Sequence, residues 1–260
     1  MSQHLYILTG TSRGMGLALA QQLLQPGHTL ICMARHTQPG LGASIPAGAS
    51  LEQWSIDLSQ PAPAAQRLHA WLSAQPAGRY ASATLINNAG VIPRIAPLSA
   101  CTSAEDMAAQ ANALRVGLEA PMLLTAAFLG ATEAWSASSH SVARKVLNIS
   151  SGLGRRAMAS QSAYCAAKAG LDHFTRCLAL DEAAKPHGAK VCSLAPGVID
   201  TDMQVQLRSA SAAEFPDVQS FSALQSGGML TSPQATAHRV LAWLARADFG
   251  SNPVADVRDA

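Results

Sequence analysis

The sequence predicts an α/β protein with a Rossmann-type, doubly wound parallel sheet, built as a single domain from residues 1–260. Short apolar runs alternate with longer segments of helical periodicity through most of the chain, as in parallel sheets covered by helices on both faces. A glycine-rich segment follows the first apolar run at once, where a strand would turn into a helix. The hydrophobic share of 48% and the charged share of 13% indicate a sizeable core and exclude a disordered chain.

The individual elements follow from these periodicities in chain order. Strands are predicted at Leu5–Thr9, Thr29–Ala34, Leu51–Ile56, Ala83–Asn87, Lys145–Ser150 and Lys190–Ala195, with a short last strand at Val254–Val257. Helices are predicted at Gly16–Gln25, Ala62–Ala74, Ala104–Ala134, Ser162–Ala184 and Pro233–Ala245. Two segments interrupt the alternation, a loop rich in Gly, Pro and Ala at His36–Ser50 and a long insert at residues 199–231. Because long segments of this kind often cover active sites, the insert is predicted to cover a substrate.

The glycine-rich segment TGTSRGMG, residues 9–16, has the properties of a dinucleotide-binding turn. Its glycines are not spaced as in the common GxGxxG pattern, but they permit the same tight turn and the same close approach of backbone N–H groups to a pyrophosphate. A purely structural turn is the alternative, and the position between the first strand and the first helix favours the nucleotide. The residues predicted to bind it here are Gly10, Ser12, Arg13, Gly14, Met15 and Gly16.

The end of the second strand indicates which dinucleotide fits. Folds that bind NAD usually have an acidic residue there, whereas this strand ends in Met33-Ala34-Arg35. Arg35 and Arg13 can bind a 2′-phosphate through bidentate guanidinium contacts, so NADPH is the predicted cofactor and two surface arginines are the alternative. Asp57, which closes the third strand, is predicted to accept a hydrogen bond from the adenine amino group, with helix capping as the alternative.

The segment Asn87-Asn88-Ala89-Gly90 follows the fourth strand. Its small residues allow the backbone to pass close to the adenine and ribose, so Asn88, Ala89 and Gly90 are predicted to bind the cofactor. Asparagine side chains can also join neighbouring strands through backbone hydrogen bonds, and the two roles are compatible.

Three residues form the predicted catalytic site. Tyr164 and Lys168 lie four residues apart in a helical segment and therefore share one face. A phenol with its usual pKa of about 10 is a poor acid–base catalyst at neutral pH, and a nearby ammonium is expected to lower that pKa. Ser151 ends the fifth strand, where its hydroxyl can hold a substrate carbonyl.

Taken together, the segments TGTSRGMG, NNAG, NISS, YCAAK and LAPGVIDT resemble the short-chain dehydrogenase/reductase family in order and spacing, over residues 4–258. The resemblance implies that Tyr164 is the general acid/base, that Lys168 is its partner and binds the nicotinamide ribose, and that Ser151 positions the carbonyl. It also implies that Pro196, Gly197, Val198 and Thr201 line the nicotinamide.

One position departs from the family. An asparagine that usually anchors a water chain to the lysine is replaced by Gly117, and Asn112 lies five residues earlier. This departure leaves a second function open, a catalytically weak regulator or sensor that binds NADP(H) on the same fold.

Within the family the chain is most similar to the sepiapterin and benzil reductases, through SAYCAAKAGLDHF, APGVIDTDMQ, the following Gln206-Leu207-Arg208 and ADFGSNPVADVRD. The resemblance implies an NADPH-dependent reductase of ketones, with a 1,2-dicarbonyl of aromatic or pterin type as substrate. It also implies that Asp256 binds the substrate, the alternative being a solvated residue near the C-terminus. The insert carries apolar residues that can cover a flat ring: Met203, Leu207, Phe215, Phe221, Leu224 and Met229.

The net charge and the cysteines limit the expected binding partners and the expected cellular compartment. The net charge of +2 is spread along the chain, so neither a nucleic acid nor a membrane surface is an expected partner. No apolar run is expected to reach the roughly 20 residues of a membrane span, and no signal peptide is recognised. The five cysteines lack metal-binding spacing, so no metal is expected and the predicted location is the cytoplasm. Helices with apolar positions on more than one face predict a homodimer or homotetramer.

Overall fold

A computed structural model describes residues 3–136 and 142–259. These residues form a seven-stranded, all-parallel sheet in the order β3-β2-β1-β4-β5-β6-β7. The strands are β1 His4–Thr9, β2 His28–Ala34, β3 Ser50–Ser55, β4 Ser82–Asn87, β5 Ala143–Ile149, β6 Lys190–Ala195 and β7 Val254–Asp256. The chain runs outward from β1 to β3 and then returns to add β4 on the other side of β1. Ligands of such sheets bind at this reversal, outside the carboxyl ends of the strands.

The helices connect successive strands and cover both faces of the sheet. They are α1 Gly14–Leu23, α2 Pro39–Gly42, α3 Pro61–Ser73, α4 Ala104–Leu114, α5 Ala120–Ser136, α6 Ser162–Ala183, α7 Asp202–Arg208, α8 Val218–Ser226 and α9 Pro233–Ala245. Each predicted strand and helix is present, with ends that differ by three residues or fewer. The predicted strand Lys145–Ser150, for example, begins two residues earlier and ends one residue earlier.

Alternation along the strands builds a core on each face. In β1, Ile7 packs with α3 and α5, while the adjacent Leu8 packs with α1 and α9 on the opposite face. Both side chains are fully buried. Burying an aliphatic side chain of this size contributes about 1.5–3 kcal/mol, so the two apolar layers hold the strand ends at fixed positions.

The predicted helix Ala104–Ala134 is one continuous helical segment that contains a π-helical turn at Arg115–Glu119 between α4 and α5. By length and composition, Ala104–Ser136 could cross a membrane, so the expectation that no segment has this character was wrong. Half of the residues in its most apolar stretch are buried, and Leu124 and Phe128 belong to the core. The segment is therefore packed as a core helix.

Both predicted irregular segments contain helices, which is a correction to the sequence-based assignment. The loop at His36–Ser50 includes the single turn α2, and the insert at 199–231 includes α7 and α8. Polar and small residues obscured the helical pattern of the insert. Its apolar residues nevertheless form a small core of their own, in which Leu207, Phe215 and Phe221 pack against Ile95 from the segment after β4.

Candidate active site

A cavity of about 880 Å³ opens at the carboxyl ends of the strands. Its volume falls in the usual range of about 300–1,000 Å³ for small-molecule sites. Every residue that the sequence predicted to bind cofactor or substrate lines this one cavity: Gly10, Ser12, Arg13, Gly14, Met15, Gly16, Arg35, Asp57, Asn88, Ala89, Gly90, Ser151, Tyr164, Lys168, Pro196, Gly197, Val198, Thr201 and Asp256.

The glycine turn between β1 and α1 leaves no space for side chains at two of its positions. A Cβ atom on Gly16 would lie 2.0 Å from the carbonyl oxygen of Gly10, and Gly10 itself has a φ of +74°. Within the described residues, no side chain caps the N-terminus of α1. Its first N–H groups therefore remain directed at the cavity, as a bound pyrophosphate requires.

Asn88 joins the segment after β4 to the glycine turn. Its side-chain amide donates to the carbonyl of Thr9 at 2.9 Å, and its backbone N–H donates to the Thr9 hydroxyl at 2.9 Å. Ala89 also donates its backbone N–H to that hydroxyl, at 3.0 Å. Asn88 therefore joins neighbouring strands, as the sequence allowed, and the same hydrogen bonds hold the backbone of the Asn88–Gly90 segment beside the cavity.

At the far end of the cofactor groove, the two arginines differ in their surroundings. Arg13 forms an exposed ion pair with Asp202 at the start of α7, at 2.6 Å, rather than meeting Arg35 in a shared cradle. Arg35 is exposed on the cavity wall. The backbone N–H of Ser59 donates to Asp57 at 2.9 Å and, with a smaller effect from Arg35, lowers the pKa of this carboxyl. Asp57 thus shapes a turn as well as lining the groove.

Ser151, Tyr164 and Lys168 meet on one wall because β5 ends beside the first two turns of α6. The backbone N–H of Leu153 donates to the Ser151 hydroxyl at 3.2 Å, which fixes the turn that follows the strand. The ammonium of Lys168 is buried, lies 5.7 Å from the centre of the Tyr164 ring and donates to the carbonyl of Ile149 at 2.7 Å. The three predicted catalytic side chains therefore share one wall of the cavity.

The pKa of Tyr164 differs from the sequence-based expectation. Burial raises the pKa of the phenol to about 12, although the Ser151 side chain acts in the opposite direction. Burial also lowers the pKa of Lys168 to about 8. The expected lowering by Lys168 is not found, because burial dominates the pKa of the phenol and the ammonium donates to the Ile149 carbonyl instead. At neutral pH the phenol is protonated and able to donate.

Asp172, one helical turn after Lys168, is a site-supporting residue that the sequence reasoning missed. Its buried carboxylate accepts from the hydroxyls of Ser150 at 2.5 Å and Ser193 at 2.7 Å, so it joins the ends of β5 and β6. It also raises the pKa of Lys168, opposing burial. The signal was available, because an acid eight residues after Tyr164 lies on the helix face of the catalytic pair.

The position of the missing asparagine is filled by close packing. A Cβ atom on Gly117 would lie 3.0 Å from the Cβ of Ala167, so glycine lets the π-helical turn approach α6. Asn112 lines the cavity, and its carbonyl oxygen is buried without a hydrogen-bond partner in the described part of the chain. The cavity thus contains an amide, but on a different turn from the family pattern.

The insert is held across the cavity by polar contacts with other segments. Arg94, in the segment after β4, forms an ion pair of 2.5 Å with Glu214, and the hydroxyl of Ser160 donates to the Glu214 carbonyl at 2.5 Å. The Gln206 amide donates to the Pro93 carbonyl at 3.2 Å. Of the apolar insert residues predicted to cover a substrate, Met203, Leu207, Phe221 and Leu224 line the cavity, whereas Phe215 and Met229 lie outside its lining.

The chain is similar to known proteins over most of its length. The family profile described as short chain dehydrogenase matches residues 4–212. The chain is 34% identical over 255 residues to the benzil reductase ((S)-benzoin forming) of Bacillus cereus, covering 95% of this chain and 96% of that protein. It is 31% identical over 270 residues to the sepiapterin reductase of Rattus norvegicus, covering 97% and 95%.

The fold also matches solved structures. A 3-oxoacyl-[acyl-carrier protein] reductase from Brucella melitensis in complex with NAD has a TM-score of 0.77 to this chain, with 99% of this chain and 96% of that one covered. The two sequences are 22% identical, so this likeness concerns the fold alone.

Proposed function

The chain belongs to the short-chain dehydrogenase/reductase family, an oxidoreductase family, and from that premise we propose that it is an NADPH-dependent carbonyl reductase. The observation that carries the proposal is the presence of Ser151, Tyr164 and Lys168 on one wall of the cavity that begins at the glycine turn. A pure binding protein would have no use for a buried ammonium next to a buried phenol, since burying such groups is costly.

In this mechanism each side chain has one task. NADPH, when bound, supplies the hydride that reaches the carbonyl carbon. Tyr164 donates its phenolic proton to the carbonyl oxygen, which the Ser151 hydroxyl holds as negative charge develops. The ammonium of Lys168 donates one N–H to the Ile149 carbonyl and has further N–H donors with which it would stabilise the phenolate and hold the ribose of a bound cofactor. The raised pKa keeps the proton on Tyr164 at neutral pH, and the nearby Lys168 ammonium would favour its release to the carbonyl oxygen.

The choice of NADPH over NADH rests on Arg35. Its exposed guanidinium lines the cavity at the end of β2, and that strand does not end in the acidic residue that binds a ribose 2′-hydroxyl. Arg13 can join it once a 2′-phosphate competes with Asp202 for its guanidinium, because that ion pair is exposed and weak.

We propose a 1,2-dicarbonyl of aromatic or pterin type as the substrate. Two relatives of the chain, a benzil reductase and a sepiapterin reductase, support this class. The cavity also has an apolar lid formed by Met203, Leu207, Phe221 and Leu224, which suits a flat ring. Asp256 lines the same cavity, and we include it in the proposed substrate site.

The test is NADPH oxidation with benzil, 1-phenylpropane-1,2-dione and sepiapterin, for the wild type and Tyr164→Phe. Turnover by the wild type that falls at least about 100-fold in the variant, with NADPH binding retained, supports the proposal. Tyr6→Phe is the matched control, because Tyr6 lies on β1 outside the cavity. If wild type and variant bind NADPH but neither reduces any of these carbonyls, the reductase proposal fails and the regulator or sensor takes its place.

We further propose that the protein forms a homodimer or homotetramer through the face formed by α4, α5 and α6. That face exposes four large apolar side chains, whose burial against a second subunit would be favourable: Met107, Leu114, Met122 and Leu180. Light scattering after size exclusion measures the assembly directly, and a monomer at micromolar concentration would contradict it. The single domain over 1–260 and the cytoplasmic location stay predictions.

A further inference from the structure

The cavity wall contains an ion pair between two residues of the C-terminal segment, Asp256 and Arg258. Asp256 is the last residue of β7 and lies beside Ala195, the residue that precedes the proposed nicotinamide segment. Its carboxylate accepts from Arg258 three times, from Nε at 2.7 Å, from Nη2 at 2.6 Å and from the backbone N–H at 3.0 Å. Both residues line the cavity. Both oxygens of the carboxylate are therefore already engaged.

Asp256 and Arg258 differ in how deeply they are buried, and this difference decides which of the two a ligand contacts. The Asp256 side chain is 9% exposed, whereas the Arg258 side chain is 66% exposed. The bonds from Arg258, supported at longer range by Arg155, hold the pKa of Asp256 below its usual value. The accessible group of the pair is thus a guanidinium, a hydrogen-bond donor without acceptor capacity.

The bidentate geometry has a chemical consequence for pterins. The amino-pyrimidinone edge of a pterin carries two adjacent N–H donors, the same pattern that a guanidinium presents to a carboxylate. Arg258 therefore occupies the two oxygens that a pterin edge would need. A diketone has no such donors and so loses nothing when the carboxylate is occupied, while its carbonyl oxygens can accept from the free N–H groups of the guanidinium.

We propose that Arg258 is a specificity-determining residue that withholds Asp256 from substrates and selects dicarbonyl compounds without paired N–H donors over pterins. The inference rests on the proposed reductase function and narrows its substrate class. In this arrangement Asp256 holds Arg258 in place and does not itself bind the substrate.

The experiment compares kcat/KM for 1-phenylpropane-1,2-dione with kcat/KM for sepiapterin in the wild type and Arg258→Met. Methionine keeps an unbranched, flexible apolar stem and removes the donors and the charge. The ratio of diketone to sepiapterin is expected to fall about tenfold or more, because the carboxylate becomes free to accept charge-assisted bonds from the pterin. Adding Asp256→Asn to Arg258→Met is expected to abolish the gain for sepiapterin. Arg239→Met, on the exposed side of α9 away from the cavity, is the control.

A binding measurement separates this inference from the reductase proposal. Biopterin, followed by its own fluorescence in the presence of NADP, is expected to bind about tenfold or more tightly to Arg258→Met than to the wild type. A wild type inactive on every carbonyl would overturn the reductase function, while this binding difference would still establish that Arg258 excludes pterins. Equal biopterin affinities together with an unchanged substrate ratio would overturn the role of Arg258.

Discussion

Replacing Asp172 by asparagine tests how one buried carboxylate supports the site. Its Oδ1 accepts from Ser150 at 2.5 Å and Ser193 at 2.7 Å, and its Oδ2 lies 3.5 Å from Nε of Arg155. Asparagine keeps an acceptor oxygen for the two hydroxyls but removes the charge. It also directs an N–H₂ group either at Arg155 or at the hydroxyls.

The expected loss follows from the strength of the two short bonds. A hydrogen bond to a charged group is worth about 1.5–3 kcal/mol, and one between neutral groups about 0.5–1.5 kcal/mol. The difference of about 1 kcal/mol for each bond predicts that Asp172→Asn lowers the free energy of unfolding by about 2 kcal/mol. Urea denaturation followed by circular dichroism measures it. A loss below about 0.5 kcal/mol would show that the cost of burying the charge cancels its bonds, and would refute this reasoning.

The same substitution is expected to move the pH dependence of catalysis. Burial lowers the pKa of Lys168 to about 8, and Asp172 opposes that shift. The reductive kcat/KM should therefore decline as the pH rises through about 8 and the ammonium loses its proton. In Asp172→Asn the decline should begin at lower pH, because the carboxylate that favours the charged lysine is gone. Rates of NADPH oxidation between pH 6 and 10 test this, and identical profiles would contradict it.

The lowered pKa of Lys168 also predicts how stability depends on pH. Between about 8 and the usual 10.5, the unfolded chain keeps a proton on this lysine that the folded protein releases. The state with more bound protons gains at low pH, so the contribution of Lys168 to stability should rise as the pH increases through this window. Lys168→Met should remove that rise from the unfolding free energy.

Three further substitutions probe the cofactor groove and the helix beside it. Arg35→Leu should lower the ratio of NADPH to NADH kcat/KM by about 10- to 100-fold, because a charge-assisted phosphate contact is lost, whereas Arg239→Leu should not change it. Gly16→Ala should abolish NADPH binding in a dye-free calorimetric titration, since the methyl group would lie 2.0 Å from a backbone oxygen of the same turn. Gly117→Asn should lower the free energy of unfolding by about 1–3 kcal/mol, because the new Cβ atom would lie 3.0 Å from the Cβ of Ala167. Unchanged stability together with faster turnover would contradict this expectation.

The lid and the tyrosine illustrate what sequence reasoning could not supply. The insert at 199–231 was predicted to cover a substrate, but its two helices were not, because tertiary contacts such as Phe215 with Phe221 compensate for a weak local pattern. The direction of the Tyr164 pKa shift depends on how completely the phenol is buried, and spacing along a helix carries no information on that.

The sequence by itself determined the order of strands and helices along the chain, the glycine turn and a large part of the residues that line the cavity. These properties are local: period-two and helical apolar patterns place the elements, and parallel strands bring their carboxyl ends to one edge. Only the tertiary structure decided which partner each charged side chain takes. Arg13 meets Asp202, Arg258 engages Asp256, and Asp172 lies beneath the ends of β5 and β6. The physical reason is that ion pairs and hydrogen bonds are short-range and compete with one another, so burial and packing select among partners that the sequence leaves equivalent.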